Sequence, residues 1–534
     1  MKHMRKLTSL LLALVMVFAL ATTAFAATVT VPTDGILKGH TFTAYQIFKG
    51  NESNGILSNV EWGEGINKET FLTALKGMTD SKFTNCTTAS DVAKVLGDNN
   101  TDTALANAVA KLAFANKTGS GTALTSETTE LADGYYLIQD TTADVGEGGA
   151  YNTSLLQVVG NINITVKTDA PSVEKKVLED DKYAQDGGYG SNYNDVADYN
   201  MGDAVPFKLI GTVPDMSRYD TYKYIFHDTM SNGLTLNADT IKVYVASNKA
   251  GTDKTEITGW TKETSDHAFT VSFADLSTVS GVSTGKFIIV EYTATLNQNA
   301  AVGLDGNPNE VYLQYSNKPD QSGSGENHPT GETPHDKVIV FTYELDTTKV
   351  DGQNTETKLK DAEFVLMDST KTNVAKITNG KFDGWVADSS ITKNTDGTYP
   401  AEYTLKSAEN TGLFSVVGLD DGTYYLKETK APAGYNLLTN EITVVIKATT
   451  TNGQTWTDGK APSALTKLEV TADGKAGAGD AGTGVASITV ANNKGTTLPS
   501  TGGIGTTIFY VLGSALVIGA AVLLVTKKRM SAEV

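Results

Sequence analysis

Three residues toward the C-terminal end of the chain could react with one another. Lys349 is in phase with Phe341, Tyr343, Leu345 and Thr347, and Glu428 with Tyr424 and Leu426. Asn492, rather than Asn493, is in phase with Ile488 and Val490. Side chains alternate faces along a strand, so shared parity puts each of the three on an apolar face. Burying a charged lysine costs several kcal/mol, so such a group is paired or neutralised. Burial also favours the neutral amine and the protonated carboxylic acid. A neutral lysine amine can attack the asparagine side-chain carbonyl. The acid hydrogen-bonds to that carbonyl, polarises it and shuttles protons, and ammonia leaves. The product is a Lys–Asn isopeptide bond, made once, which constrains the chain as a disulfide does. The competing reading is an ordinary buried ion pair.

A second set stands earlier. Lys175 is in phase with Val173 and Val177, Asp228 with Tyr222, Tyr224 and Phe226, and Asn317 with Val311, Leu313 and Tyr315. The expectation is a second crosslink through Lys175, Asp228 and Asn317. Lys176 and Glu291 remain open as the lysine and the acid, and surface lysines and turn residues are the plain alternative.

The elements that must position these groups are strands. Short runs such as Ile162–Val166, Ile241–Val245 and Tyr403–Leu405 alternate apolar and polar residues and are bounded by Gly, Asn and Asp. That period and the Thr, Val and Tyr content predict a mainly β chain of tandem immunoglobulin-like sandwiches. Apolar residues at helical spacing predict two extra helices, Lys68–Met78 and Ala104–Phe114. A Pro-containing joint at Thr168–Ser172 and a polar, Pro-rich stretch at Pro319–Pro334 punctuate the chain. The expected layout is a signal peptide at 1–26, domains at 27–168, 169–338 and 339–495, and a C-terminal segment at 496–534. The strand-like run Val338–Lys349 is expected to leave the middle domain and enter the third. The glycine-rich stretch Gly474–Gly484 reads as a flexible loop.

One sequence echo bears on the chemistry. Leu419–Thr429 recurs, shorter, as Leu131–Asp140. With the Tyr-Tyr-Leu triplets aligned, Gln139 stands where Glu428 does. Gln139 cannot shuttle protons and Asp140 falls on the other face, so the first domain is expected to lack a crosslink.

The ends carry targeting signals. Lys2, Arg5 and Lys6 precede an apolar run, Leu7–Leu20, and Ala24-Phe25-Ala26 supplies a cleavage pattern, so cleavage after Ala26 is expected. Ile504–Val525 is long and apolar enough to span a bilayer, and Lys527, Lys528 and Arg529 place its end in the cytoplasm. Leu498-Pro499-Ser500-Thr501-Gly502 just before it resembles the LPxTG sorting signal. The resemblance implies that a sortase cleaves between Thr501 and Gly502 and passes the Thr501 acyl group to an amine, leaving a mature chain of about 27–501.

Composition narrows the alternatives. The 534 residues include 43 basic and 61 acidic ones, for a net charge of −18. An acidic exterior disfavours nucleic acid and anionic membrane as partners. The single cysteine, Cys86, excludes an internal disulfide and reads as a core residue. The six histidines show no metal-ligand spacing, so neither a metal nor a cofactor is expected.

Tyr424–Tyr435 resembles the glutamate-bearing motif of collagen-adhesin B-type (CnaB) domains, with Lys349 matching their first-strand lysine and Asn492 their last-strand asparagine. As a whole the chain resembles the major backbone pilins of Gram-positive sortase-assembled pili. That resemblance implies Cna-type sandwiches and a structural role rather than an enzymatic one beyond self-crosslinking. It also implies an acceptor lysine ending the last strand of the first domain. Gly160–Asp169 fits, with Lys167 as acceptor, although the family's usual Pro before the lysine is Val166 here. The implied partners are a pilus-class and a housekeeping sortase, further copies joined head to tail, minor pilins, peptidoglycan and host surface molecules. The implied location is the cell wall and outer surface. A wall-anchored adhesin that is not polymerised, a minor pilin, or a wall-anchored glycosidase are the competing readings.

Overall fold

In the computed structural model the described residues are 27–31, 39–53, 55–124, 129–159, 162–163, 170–180, 188–319, 328–495 and 504–530. The signal segment, Lys167 and the Leu498–Gly502 motif lie outside them.

The first sandwich pairs a three-stranded sheet with a five-stranded one. Ala27–Thr30 lies between Thr129–Leu131 and, in parallel, Ile162–Asn163. Val29, Phe42, Leu131, Tyr136, Ile138 and Val158 close the core between the sheets. The outer face of the larger sheet is apolar too, because helices cover it: Ile47, Phe48 and Leu137 pack against Phe71, Val92 and Val109. Cys86 is buried in that layer.

Three helices form it, not the expected two: α1 (Lys68–Lys76), α2 (Ala89–Asp98) and α3 (Thr103–Asn116). Each has a side-chain cap, from Asn67, Thr88 and Asp102. Helix α2 is ten residues long and buries only Ala89 and Val92. Its start is marked by the reciprocal Thr88–Asp91 capping box, which satisfies two otherwise orphaned backbone donors.

The middle sandwich packs two seven-stranded sheets around Phe207, Tyr224, Phe226, Val290, Val311 and Leu313. The third folds one long strand path around Leu345, Phe364, Leu426, Val444 and Ile488. Its first strand, Tyr343–Asp351, runs parallel to its last, Val485–Asn492. The middle sandwich ends in the strand Asp336–Phe341, so a single residue, Thr342, separates the two. The strand-like run does cross from one sandwich to the next. The glycine-rich 474–484 stretch is not all loop: it contains the short exposed strands Lys475–Ala476 and Ala478–Asp480. A final helix, α4 (Ile504–Met530), is long and apolar enough to cross a membrane.

Candidate crosslinking sites

In the third sandwich the three expected residues meet. Lys349 and Asn492 are fully buried and Glu428 is nearly so. Lys349 Nζ donates to Asn492 Oδ1 and stands 3.4 Å from Glu428 Oε1. Asn492 Nδ2 donates to Glu428 Oε2 at 2.9 Å and to the Asn436 carbonyl at 2.7 Å. The Leu438 amide holds the same Glu428 oxygen at 2.8 Å. Parallel pairing of the first and last strands sets this up, with Lys349 opposite Val490 and Asp351 opposite Asn492. Burial beside the Phe364 ring, 5.4 Å from Nζ, lowers the Lys349 pKa to about 8 against the opposing pull of Glu428. The amine is therefore close to its neutral, nucleophilic form near neutral pH. It already contacts the amide it would attack, and the carboxyl group hydrogen-bonds to that same amide.

In the middle sandwich two of the three expected residues meet. Lys175 and Asp228 are buried and ion-paired. Burial drives the Lys175 pKa down and the Asp228 pKa up, each opposed by the partner. Asn317 is not with them. The register places Asp228 opposite Val311 and Tyr224 opposite Tyr315, so Asn317 lies six positions past Val311. At about 3.3 Å per residue that is roughly 20 Å away. Asn317 instead faces the first sandwich, where its carbonyl accepts from the Tyr151 amide at 2.8 Å. Asn309 takes its place. It pairs with Met230 across the sheet, diagonal to Asp228, and is fully buried.

The Tyr292 hydroxyl ties this set together. It donates to Asp228 Oδ2 at 2.8 Å and accepts from Lys175 Nζ and Asn309 Nδ2, both at 2.9 Å. Asn309 Oδ1 and Asp228 Oδ1 are buried without a hydrogen-bond partner among the described residues. A proton on Asp228 could serve both atoms. Parity alone could not choose between Asn309 and Asn317, which share a face. The register with the Asp228 strand decides, and sequence does not show it. The reserve residues lie elsewhere: Lys176 pairs with Asp195, and Glu291 with Lys254 at 2.6 Å.

The first sandwich corrects the sequence alignment. The Tyr136 hydroxyl donates to the Ala132 carbonyl at 2.9 Å, and the Tyr424 hydroxyl to the Asp420 carbonyl at 2.9 Å. Those tyrosines are equivalent, so Asp140, not Gln139, stands where Glu428 does. Asp140 shares the core face with Tyr136 and Ile138 and is 3 % exposed. Its partners are His40 Nδ1 at 2.8 Å, the Thr142 hydroxyl at 2.5 Å and the Asn152 amide at 3.4 Å. The acid is present. The first strand, Ala27–Thr30, carries no lysine to face it.

Known families match in the order these sites suggest. Residues 201–319 match the Gram-positive pilin backbone subunit 2, Cna-B-like domain. Residues 344–460 match the SpaA prealbumin-like fold domain, and 491–531 the LPXTG cell wall anchor motif. The chain therefore carries a pilin backbone domain, a prealbumin-like domain and a wall anchor motif similar to those of Gram-positive backbone pilins. It is 25% identical over 388 residues to the trypsin-resistant surface T6 protein of Streptococcus pyogenes serotype M6, covering 62% of this chain and 65% of that one. It is 28% identical over 257 residues to the fimbrial subunit type 2 of Actinomyces naeslundii, covering 45% and 46%. The chain thus spans about two-thirds and about half of these relatives' lengths. Among solved structures, the T6 backbone pilin of serotype M6 Streptococcus pyogenes, described as a modular three-domain protein, shares the fold. Its TM-score is 0.50 at 18% identity, covering 89% of this chain and all of that one.

Proposed function

We propose that this chain is the shaft subunit of a covalently polymerised surface pilus, with domains at about 27–168, 169–338 and 339–495. The pilin backbone domain and the wall anchor motif in one chain carry the reading. A sortase cleaves after Thr501 and transfers its acyl group to Lys167 of the next subunit. Each such contact is head to tail and does not close, so a filament results. A housekeeping sortase attaches the finished polymer to peptidoglycan, and minor pilins and host surface molecules are its other partners.

Two internal isopeptide bonds toughen the subunit, Lys349–Asn492 and Lys175–Asn309. In each, Nζ bonds to the asparagine Cγ and the side-chain nitrogen leaves as ammonia. Glu428 or Asp228 carries the proton from the amine to the leaving group. The contact of Lys349 with Asn492 beneath Glu428 supports the first bond. The shared Tyr292 hydroxyl supports the second.

The deciding experiment is an immunoblot of cell-wall extract boiled in SDS, from wild type and a Lys167→Ala strain. A ladder that collapses to monomer in the variant is expected. A surviving ladder moves the acceptor to another lysine, and no ladder in either strain leaves a monomeric wall-anchored adhesin.

A further inference from the structure

The two crosslinking sites differ in how the acid reaches the asparagine. In the third sandwich Glu428 meets both reacting groups itself. Lys349 Nζ stands 3.4 Å from one of its oxygens, and Asn492 Nδ2 donates to the other at 2.9 Å. In the middle sandwich the acid is an aspartate, one methylene shorter. Asp228 pairs with Lys175 but makes no hydrogen bond to Asn309 among the described residues. The Tyr292 hydroxyl fills that gap, in contact with Asp228 Oδ2, Lys175 Nζ and Asn309 Nδ2. Among the described residues no hydroxyl group is hydrogen-bonded to Lys349, Glu428 or Asn492.

The fold fixes this hydroxyl. Tyr292 stands in the strand Phe287–Leu296, in the same sheet as the Lys175 strand Val173–Leu178, with Ala204–Thr212 between them. Asp228 and Asn309 lie on neighbouring strands of the other sheet, so the tyrosine reaches across the core. Its ring stacks on Phe207 with centroids 5.4 Å apart and meets Phe269 edge-on at 4.7 Å. The residue is 2 % exposed. Burial, reinforced by the Asp228 charge, keeps the hydroxyl pKa well above its usual value, so the group stays neutral. A neutral hydroxyl both donates and accepts, and it can take up one proton while giving up another.

We propose that Tyr292 is a further catalytic residue of the middle crosslink, relaying the proton between Lys175, Asp228 and Asn309. This rests on the Lys175–Asn309 bond proposed above. The neutral Lys175 amine attacks Asn309 Cγ, and a bond forms from Nζ to that carbon. As Nζ gives a proton to the Tyr292 oxygen, the hydroxyl passes its own proton to Asp228 Oδ2. Collapse of the intermediate then breaks the Cγ–Nδ2 bond. Asp228 returns a proton through the same hydroxyl to Nδ2, which leaves as ammonia. Tyrosine and acid end as they began. The Glu428 site needs no such bridge, because its carboxyl group meets both nitrogens.

The test uses the chain from Ala27 to its C-terminus, isolated unreacted in denaturant and refolded in detergent. Each bond is followed separately against time, as its crosslinked peptide in a digest. The parent chain is expected to form both. Tyr292→Phe keeps the ring and its packing and removes only the hydroxyl. It should slow the Lys175–Asn309 bond by about a hundredfold or more, while Lys349–Asn492 in the same molecule forms at the parent rate. Phe269→Leu loosens the ring's packing and keeps the hydroxyl, so it should slow the middle bond far less. A middle bond formed at the parent rate in Tyr292→Phe overturns the relay and leaves the crosslink standing. So does equal slowing in Phe269→Leu, which assigns the effect to packing. Absence of the Lys175–Asn309 peptide from the parent overturns the crosslink itself, and the relay with it.

Discussion

In the first sandwich and the third, a glycine follows two turn residues. Two positions on, a tyrosine donates to the carbonyl four residues back: Tyr136 to Ala132, and Tyr424 to Asp420. Four residues beyond each tyrosine stands a buried acid, Asp140 or Glu428. There the likeness ends. Glu428 meets a lysine and an asparagine, whereas Asp140 meets a histidine, a hydroxyl and a backbone amide. A buried carboxyl group on this strand is therefore part of the scaffold. What sets reactivity is whether the neighbouring first strand brings an amine. The middle sandwich shows the same rule from another direction. Its acid lies on a different strand, Tyr224–Met230, yet it also faces a first-strand lysine.

The sharpest way to break this comparison is Glu428→Gln, which keeps the shape and removes the proton carrier. Intact mass of the mature chain is expected to fall short of the sequence mass by two ammonias, and in this variant by one. The lost bond joins residues 143 apart, so destabilisation on the order of 4–5 kcal/mol is expected in chemical denaturation. An unchanged mass would end the crosslink reading for this domain.

The middle sandwich gives a paired test of nearly the same size. Asn309→Ala should restore one ammonia of mass, while Asn317→Ala should leave the deficit at two and keep the backbone hydrogen bond with Tyr151. The reverse pattern would return the bond to Asn317.

pH offers a smaller, graded effect. The Lys349 pKa is lowered to about 8, so the reactive neutral amine dominates above that pH and the charged form below it. At pH 6 the neutral fraction is about fifty-fold below that at pH 8. Crosslinking of freshly refolded, unreacted protein, followed by mass against time, should slow accordingly in acid. A rate flat between pH 6 and 8 would mean that deprotonation is not limiting.

The smallest effect belongs to the first sandwich. Asp140→Ala should leave the mass unaltered and cost roughly 1–3 kcal/mol, the penalty for stranding its hydrogen-bond donors. A mass increase in this variant would reveal a first-domain bond and erase the contrast.

Much of this was legible in the primary structure. Period-2 patterning located the strands, and parity put Lys349, Glu428, Asn492, Lys175 and Asp228 on core faces. Parity fails where two residues of one strand share a face, as Asn309 and Asn317 do, because register belongs to the pair of strands. It failed again at Asp140, where both faces of the strand are covered, one by the opposing sheet and one by helices. Matching the Tyr-Tyr-Leu triplets chose the wrong tyrosine, and the hydrogen bond back to the turn settles the offset. Helix α2 escaped although its apolar residues are spaced for a helix; it is ten residues long, buries only Ala89 and Val92, and its start is marked by the Thr88–Asp91 cap.

Thr342 has a mechanical consequence. A joint one residue long holds no spare contour, and the strands it connects are each anchored in a sheet, so the two sandwiches cannot swing apart as beads on a string do. Pulling on the chain there loads hydrogen-bonded strands at once, with no coil to straighten first. Over a stack of such units, the middle and third sandwiches would behave as one rigid segment. Whatever compliance the filament has would be concentrated once per subunit rather than spread along its length.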